Sequence, residues 1–191
     1  ISAQAVRTGL ALVELPGRNA GWVVAASALA RESEDDAPHL IFPPEHCRSL
    51  DAFLGQIQRA YEQRGFVVAA VAETLRDESG SPLGEAAAEL GERDAFGHAR
   101  LVGAAQRLCR EISRSLGLRA RWDKPGTLAR SSIACASEVD LAEAYLVGRR
   151  AVEAALAGET DRMVTLVRES SIPYQATTGL APLAGPEGSG G

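Results

Sequence analysis

The run FVVAAVA at Phe66–Ala72 decides the fold of this 191-residue chain. It is apolar throughout rather than alternating, which is typical of a strand that is buried on both faces. Just before it, residues 51–63 carry apolar side chains at helical spacing, with Ser49 or Asp51 as the predicted cap and Gly65 at the end. The chain thus passes from a helix directly into a buried strand, a pattern that favours a parallel sheet.

The same alternation of strands and helices extends outward from this run in both directions. The other predicted strands are residues 10–15 (LALVEL), 39–42, 118–123 and 163–167, and the other predicted helices are residues 20–31, 101–116 and 140–157. This order predicts an α/β fold, a parallel sheet sandwiched between helices. We assign residues 1–183 to this fold and predict a flexible Gly-rich tail at residues 184–191.

Composition excludes several classes of protein. Apolar residues make up 46% of the chain, yet none of their runs approaches the ~18 residues of a membrane-spanning helix. The net charge of −5 argues against general binding of nucleic acid or of anionic membranes. The three cysteines form no C-x-x-C pair and the three histidines lack metal-binding spacing, so we predict a cytoplasmic protein without a metal site of its own.

Ligands of open parallel sheets bind at the carboxyl ends of the strands, so the residues that follow each strand are the candidates for a site. Gly17 permits a tight turn, and Arg18 adds charge at a helix start, which suits an anion or is a plain turn with a solvated arginine. Glu73 directly follows the most apolar strand and is placed either to accept hydrogen bonds from ligand hydroxyls or to cap a loop.

A third group of candidates lies in the segment RWDKPGTLAR at residues 121–130. Arg121, Lys124 and Arg130 are cationic, and Thr127 offers a hydroxyl after a glycine, a combination that binds phosphate. The order is not that of a Walker loop, and the same residues also suit a solvated face.

Six segments, taken in order, resemble motifs of the phosphofructokinase family, in particular of its pyrophosphate-dependent long-chain branch. They are VELPGRNAGW (13–22), DAPHLI (36–41), VVAAVAE (67–73), DAFGH (94–98), RWDKPGTLAR (121–130) and AYLVGRRAV (144–152). The resemblance implies a glycolytic kinase, a transferase that moves a phosphoryl group from pyrophosphate, or from ATP in sister branches, to the 1-hydroxyl of fructose 6-phosphate. It further implies fructose 1,6-bisphosphate as product, Mg²⁺ as cofactor and a homo-oligomer.

The resemblance also implies roles for the candidate residues. Gly17 and Arg18 would contact the substrate, and Glu73 would bind a sugar hydroxyl. The segment 121–130 would hold the 6-phosphate, with Thr127 and Arg130 in the same subunit, Arg121 reaching the site of a neighbouring subunit and Lys124 adding positive charge.

Two motifs of the family do not occur in this sequence. These are the Gly-Gly-Asp-Gly donor loop and the T-I-D-N-D segment, which supplies the base and the magnesium carboxylate. With Ile1 rather than Met at its start, the chain is expected to be a C-terminal substrate-lobe fragment that contains no catalytic residue or metal ligand and is inactive alone. Since Pro16 also replaces the usual Met, the alternative is a non-catalytic sugar-phosphate-binding or regulatory relative, which a start codon just before Ile1 would favour over an upstream donor loop.

Overall fold

The computed structural model describes residues 9–84 and 103–183, apart from the side chains of Ala129 and Arg130. It divides into two compact units, Ile1–Ala129 and Arg130–Gly191. The family-like segment at residues 94–98 and the predicted tail at 184–191 lie outside the described residues.

The first unit is built on a four-stranded sheet. Its strands are β1 (Gly9–Leu15), β2 (Leu40–Phe42), β3 (Phe66–Ala72) and β4 (Ala120–Asp123). All neighbouring pairs are parallel, in the order β2-β3-β1-β4. The longest pairing joins β1 to β3 over seven residues, from Gly9 opposite Phe66 to Leu15 opposite Ala72.

Helices cover both faces of this sheet. They are α1 (Trp22–Ala26), α2 (Leu50–Arg64) and α3 (Ala104–Leu116). Alternate residues of β3 serve the two faces, since Val67 and Val71 join the core under α2 and α3 whereas Ala70 packs against Val24 of α1. The prediction of a parallel sheet sandwiched between helices is therefore confirmed.

Helix α2 begins and ends as its sequence predicts. The hydroxyl oxygen of Ser49 accepts a hydrogen bond from the Ala52 N–H at 3.2 Å, so Ser49 and not Asp51 is the capping residue. The helix ends at Gly65, whose φ of 73° lies in the left-handed region that favours glycine. Phe53 and Ile57 of its inner face are fully buried.

The helix predicted over residues 20–31 is wrong in its length. Helix α1 covers only five residues and is followed by a single 3₁₀ turn, Ser27–Ala30. The Ser27 hydroxyl donates a hydrogen bond to the carbonyl oxygen of Val24, a local bond that competes with the regular helical ladder.

The second unit contains a long helix and a hairpin. A short helix, α4 (Leu128–Ser131), spans the boundary between the units and is followed by α5 (Glu138–Leu156). Strands β5 (Arg162–Ser171) and β6 (Tyr174–Pro182) pair in antiparallel fashion as a separate two-stranded sheet.

Two sequence predictions for the second unit need correction. The cap of α5 is Ser137, whose hydroxyl accepts from the Asp140 N–H at 3.3 Å, so the helix begins one turn earlier than an Asp140 cap would allow. Strand β5 is twice as long as the predicted 163–167, because it pairs with β6, which was not predicted. The polar and glycine-containing run YQATTGLAP lacks the apolar pattern on which strand prediction depends.

The helices of the described ranges 9–84 and 103–183 include none that is both long enough and apolar enough to cross a membrane.

We predict that Ile57→Ala lowers the free energy of unfolding by about 2–5 kcal/mol, because it leaves a cavity at a fully buried position. Denaturant unfolding followed by circular dichroism measures the loss. Leu29→Ala is the matched control, since Leu29 is 87% exposed and its truncation should change stability by no more than about 0.5 kcal/mol. Equal losses in the two variants would contradict the assigned core.

We also predict that the chain associates with itself. Helix α5 and strand β5 expose large apolar side chains, namely Tyr145, Val152, Leu156, Met163, Leu166 and Val167. Contiguous apolar surface of this kind drives association in water. Light scattering should show a mass above that of the monomer, and Leu156→Glu should reduce it. A monomer at high concentration would refute the prediction.

Candidate functional site

The carboxyl ends of the four parallel strands bring the loops that follow them to one edge of the first unit. Gly17 and Arg18 follow β1, Glu45 follows β2, Glu73 follows β3 and Lys124 follows β4. Three of the predicted site residues, Gly17, Glu73 and Lys124, are in contact there. The edge is therefore the candidate site, as expected for an open parallel sheet.

Glu73 is held by the backbone of the neighbouring strand end. Its N–H donates to the carbonyl oxygen of Leu15 at 3.0 Å, and its Oε1 accepts from the Gly17 N–H at 3.4 Å. The side chain remains 28% exposed, so its carboxylate is accessible to a ligand.

Gly17 is required by the geometry of this turn. Its φ is 153°, and a Cβ at this position would lie 2.8 Å from the carbonyl oxygen of Ala20. A side chain here would force the turn to shift, and the N–H that reaches Glu73 would shift with it.

Lys124 lies between two carboxylates. Its Nζ is 2.8 Å from Oε1 of Glu14 and 3.6 Å from Oε2 of Glu73. Burial alone lowers the pKa of the Lys124 ammonium, but contact with Glu14 and then with Glu73 outweighs burial, so this pKa lies above its ordinary value. Lys124 is therefore fully charged at neutral pH, and its third N–H remains for another acceptor.

Glu14 is the site residue that the sequence analysis missed. It lies inside β1, is completely buried, and its Oε2 accepts from the Ala105 N–H at 3.1 Å at the start of α3. The signal was present in the sequence, because Glu14 is the single charged residue in the otherwise apolar strand LALVEL. A buried carboxylate needs a cation or several donors, and Lys124 was the lysine to pair with it.

A second backbone contact ties the loop after β2 to the loop after β1. Oε1 of Glu45 accepts from the Gly21 N–H at 2.6 Å. A Cβ at Gly21 would overlap both Glu45 and Pro43, so this close approach depends on glycine. Nearby, a guanidinium N–H of Arg76 donates to Oδ1 of Asn19 at 3.2 Å, which joins the loops after β1 and β3.

The remaining predicted residues are placed less closely. Arg18 is exposed next to Gly17, and Arg121 is exposed within β4, opposite Ala11. Thr127 is exposed after Gly126, whose φ of 58° lies in the left-handed region. Arg130 belongs to the second unit, and its side chain lies outside the described ones.

Within residues 9–84 and 103–183, His, Cys, Asp and Glu side chains form no group of three or more that could hold a metal ion. The carboxylates of Glu14 and Glu73 are instead engaged by an ammonium and by backbone N–H groups. This donor set does not suit Mg²⁺, and we derive no chemical step through a metal from these residues.

Comparison with known proteins gives consistent results. The family profile described as "Phosphofructokinase" matches residues 1–155. The pyrophosphate--fructose 6-phosphate 1-phosphotransferase of Halomonas elongata is 38% identical over 180 residues, which cover 94% of this chain and 42% of the relative. The protein of the same name from Rhodospirillum rubrum is 40% identical over 167 residues, which cover 84% of this chain and 41% of that one.

Among solved structures, the pyrophosphate-dependent phosphofructokinase of Marinobacter aquaeolei matches with a TM-score of 0.69 and 31% identity, over 96% of this chain and 41% of that one. This chain thus spans about two fifths of the length of the curated relatives it matches. The profile covers most of the chain, and the fold agrees with that of the solved relative. The chain therefore belongs to the phosphofructokinase family.

Proposed function

We propose that this chain supplies the fructose 6-phosphate-binding part of a pyrophosphate-dependent phosphofructokinase. The observation that carries the proposal is the contact of Gly17, Glu73 and Lys124 at the carboxyl edge of the sheet, in a chain that belongs to this family. The names of the matched relatives support pyrophosphate rather than ATP as the donor.

Glu73 would recognise the sugar. Its carboxylate is fixed on one side by the Gly17 N–H and on the other by Lys124, while part of it stays exposed. A carboxylate held in this way accepts hydrogen bonds from sugar hydroxyls without first paying the entropy of ordering its own side chain. Gly17 and Arg18 would contact the same substrate from the adjacent loop.

The segment from Arg121 to Arg130 would hold the 6-phosphate. Thr127 offers a hydroxyl, Lys124 an ammonium with one N–H to spare, and Arg130 a guanidinium in the same subunit. Arg121 would reach the site of a neighbouring subunit in a homo-oligomer. Phosphoryl transfer relies on positioning and on charge, which is the kind of help such residues give.

The reaction would transfer a phosphoryl group from pyrophosphate to the 1-hydroxyl of fructose 6-phosphate and yield fructose 1,6-bisphosphate and phosphate. Mg²⁺ would neutralise the charge that develops on the transferred group, held by carboxylates outside this chain. The residues described here would bind and orient the sugar phosphate, in a protein that we place in the cytoplasm and in glycolysis.

We predict that the 191-residue chain alone transfers no phosphoryl group. Its sequence contains neither the donor loop nor the T-I-D-N-D segment that the family uses for the base. A coupled assay with fructose 6-phosphate and either pyrophosphate or ATP should read as background, with a full-length relative as the positive control. Turnover above background would contradict the assignment of this chain to substrate binding only.

We further predict that Arg121→Ala and Arg130→Ala, made in the full-length polypeptide, each weaken fructose 6-phosphate binding by about 1.5–3 kcal/mol. This corresponds to a rise in KM of about ten- to a hundredfold when the contact acts equally in ground and transition states. Only Arg121→Ala should make KM depend on the assembly state, because only Arg121 would act across subunits.

Steady-state titration of fructose 6-phosphate, with oligomer size followed in parallel, measures both effects. Arg59→Ala is the matched control, since Arg59 is exposed on α2 away from the strand ends. Parent-like KM values in both variants would mean that the two arginines are merely solvated. Binding of fructose 6-phosphate without turnover in the full-length polypeptide would favour the non-catalytic relative.

A further inference from the structure

The buried Glu14 needs an explanation beyond packing. An ionised carboxylate is costly to bury, and an apolar residue of similar size would cost nothing at this place in an apolar strand. Oε2 is satisfied by the Ala105 N–H, but Oε1 receives no aligned hydrogen bond from the part of the chain that the structure describes. Its compensation is the charge of the Lys124 ammonium, 2.8 Å away.

The fold makes room for this carboxylate. Gly103, the residue that precedes α3, lies so close to it that an added Cβ would overlap the carboxylate group. The start of α3 therefore packs directly on Glu14 and donates to it. Both the helix N–H and the positive end of the helix dipole favour the ionised form of Glu14.

A continuous chain of contacts runs from this buried group to the accessible one. Glu14 holds Lys124, Lys124 lies 3.6 Å from Glu73, and Glu73 accepts from Gly17. The Lys124 side chain is 45% exposed, so without Glu14 its long and flexible stem would have only the weaker contact with Glu73 to fix it.

We propose that Glu14 is a positioning residue of the sugar-phosphate site, which fixes the Lys124 ammonium so that Lys124 in turn orients the carboxylate of Glu73. The inference rests on the proposed function for its outcome in binding, and on the geometry alone for the position of Lys124. Glu14 itself touches no substrate.

The first test measures Lys124 directly, because it is the single lysine of the chain. A ¹³C-lysine-labelled 191-residue chain gives side-chain NMR signals from Lys124 alone, and their titration gives its pKa. The wild-type pKa should exceed the ordinary value of about 10.4, and Glu14→Gln should lower it by about 1. The glutamine retains an acceptor for the Ala105 N–H and removes only the charge.

Two controls keep this titration specific. Glu62→Gln removes an exposed carboxylate from α2 and should leave the Lys124 pKa unchanged. Circular dichroism at each pH limits the comparison to folded chains. A wild-type Lys124 that titrates at or below the ordinary pKa would overturn the proposal without any variant, and so would an unchanged pKa in a folded Glu14→Gln chain.

The second test measures the consequence for binding in the full-length polypeptide. Glu14→Gln should raise the KM for fructose 6-phosphate about tenfold with little change in kcat, since the effect is on binding. Lys124→Met should act similarly, and the double variant should be no worse than Lys124→Met alone, because both changes break the same chain of contacts.

The outcomes separate the inference from the proposed function. If the wild type neither binds nor uses fructose 6-phosphate, the proposed function fails, whatever Lys124 shows in the titration. If the wild type uses fructose 6-phosphate and Glu14→Gln has a parent-like KM, the positioning role fails. Multiplying effects of Glu14→Gln and Lys124→Met would also overturn it, since Glu14 would then act independently of Lys124.

Discussion

The parallel pairing of β1 with β3 is the constraint on which the rest of the first unit depends. It aligns Leu15 with Ala72, so the two strands end at the same level and their next residues turn outward together. This alignment puts the Gly17 N–H within reach of Glu73. Both strands are buried on two faces, and a shift of register by one residue would exchange the side chains that serve the two layers of helices.

The pairing of β1 with β4 extends the same logic to the charges. Val13 is opposite Asp123, so the next residues along each strand, Glu14 and Lys124, are neighbours across the sheet. Their ion pair is thus a consequence of strand register. Glu14 points away from solvent and Lys124 lies at the strand end, so one sheet edge combines a buried charge with an accessible one.

The sequence was sufficient to predict what depends on local pattern. Continuous apolar runs identified β1 and β3, and the helix α2 was predicted from spacing, from Ser49 and from Gly65. The candidates Gly17, Glu73 and Lys124 were found because they follow strands, and the structure brings them together. Whether they bind substrate is a matter for experiment, and so is the role of Arg130.

What the sequence did not predict depends on partners that are distant along the chain. Glu14 makes sense only beside Ala105 and Lys124, which are about ninety and one hundred and ten residues away. Strand β6 exists because β5 supplies its hydrogen bonds, not because its own residues have strong strand character. Helix α1 stops early through a side-chain bond that competes with the helix, which spacing alone does not reveal.

The close approach of Gly103 to Glu14 has a consequence for how this family member tolerates mutation. Any side chain at position 103 collides with the carboxylate, while a shorter side chain at position 14 leaves a void beneath the start of α3. The two positions are therefore epistatic: a substitution at position 103 is harmful in the presence of Glu14 and becomes tolerable once position 14 is small. A lineage could leave this pairing only through a less stable intermediate, which keeps the two residues coupled through sequence divergence.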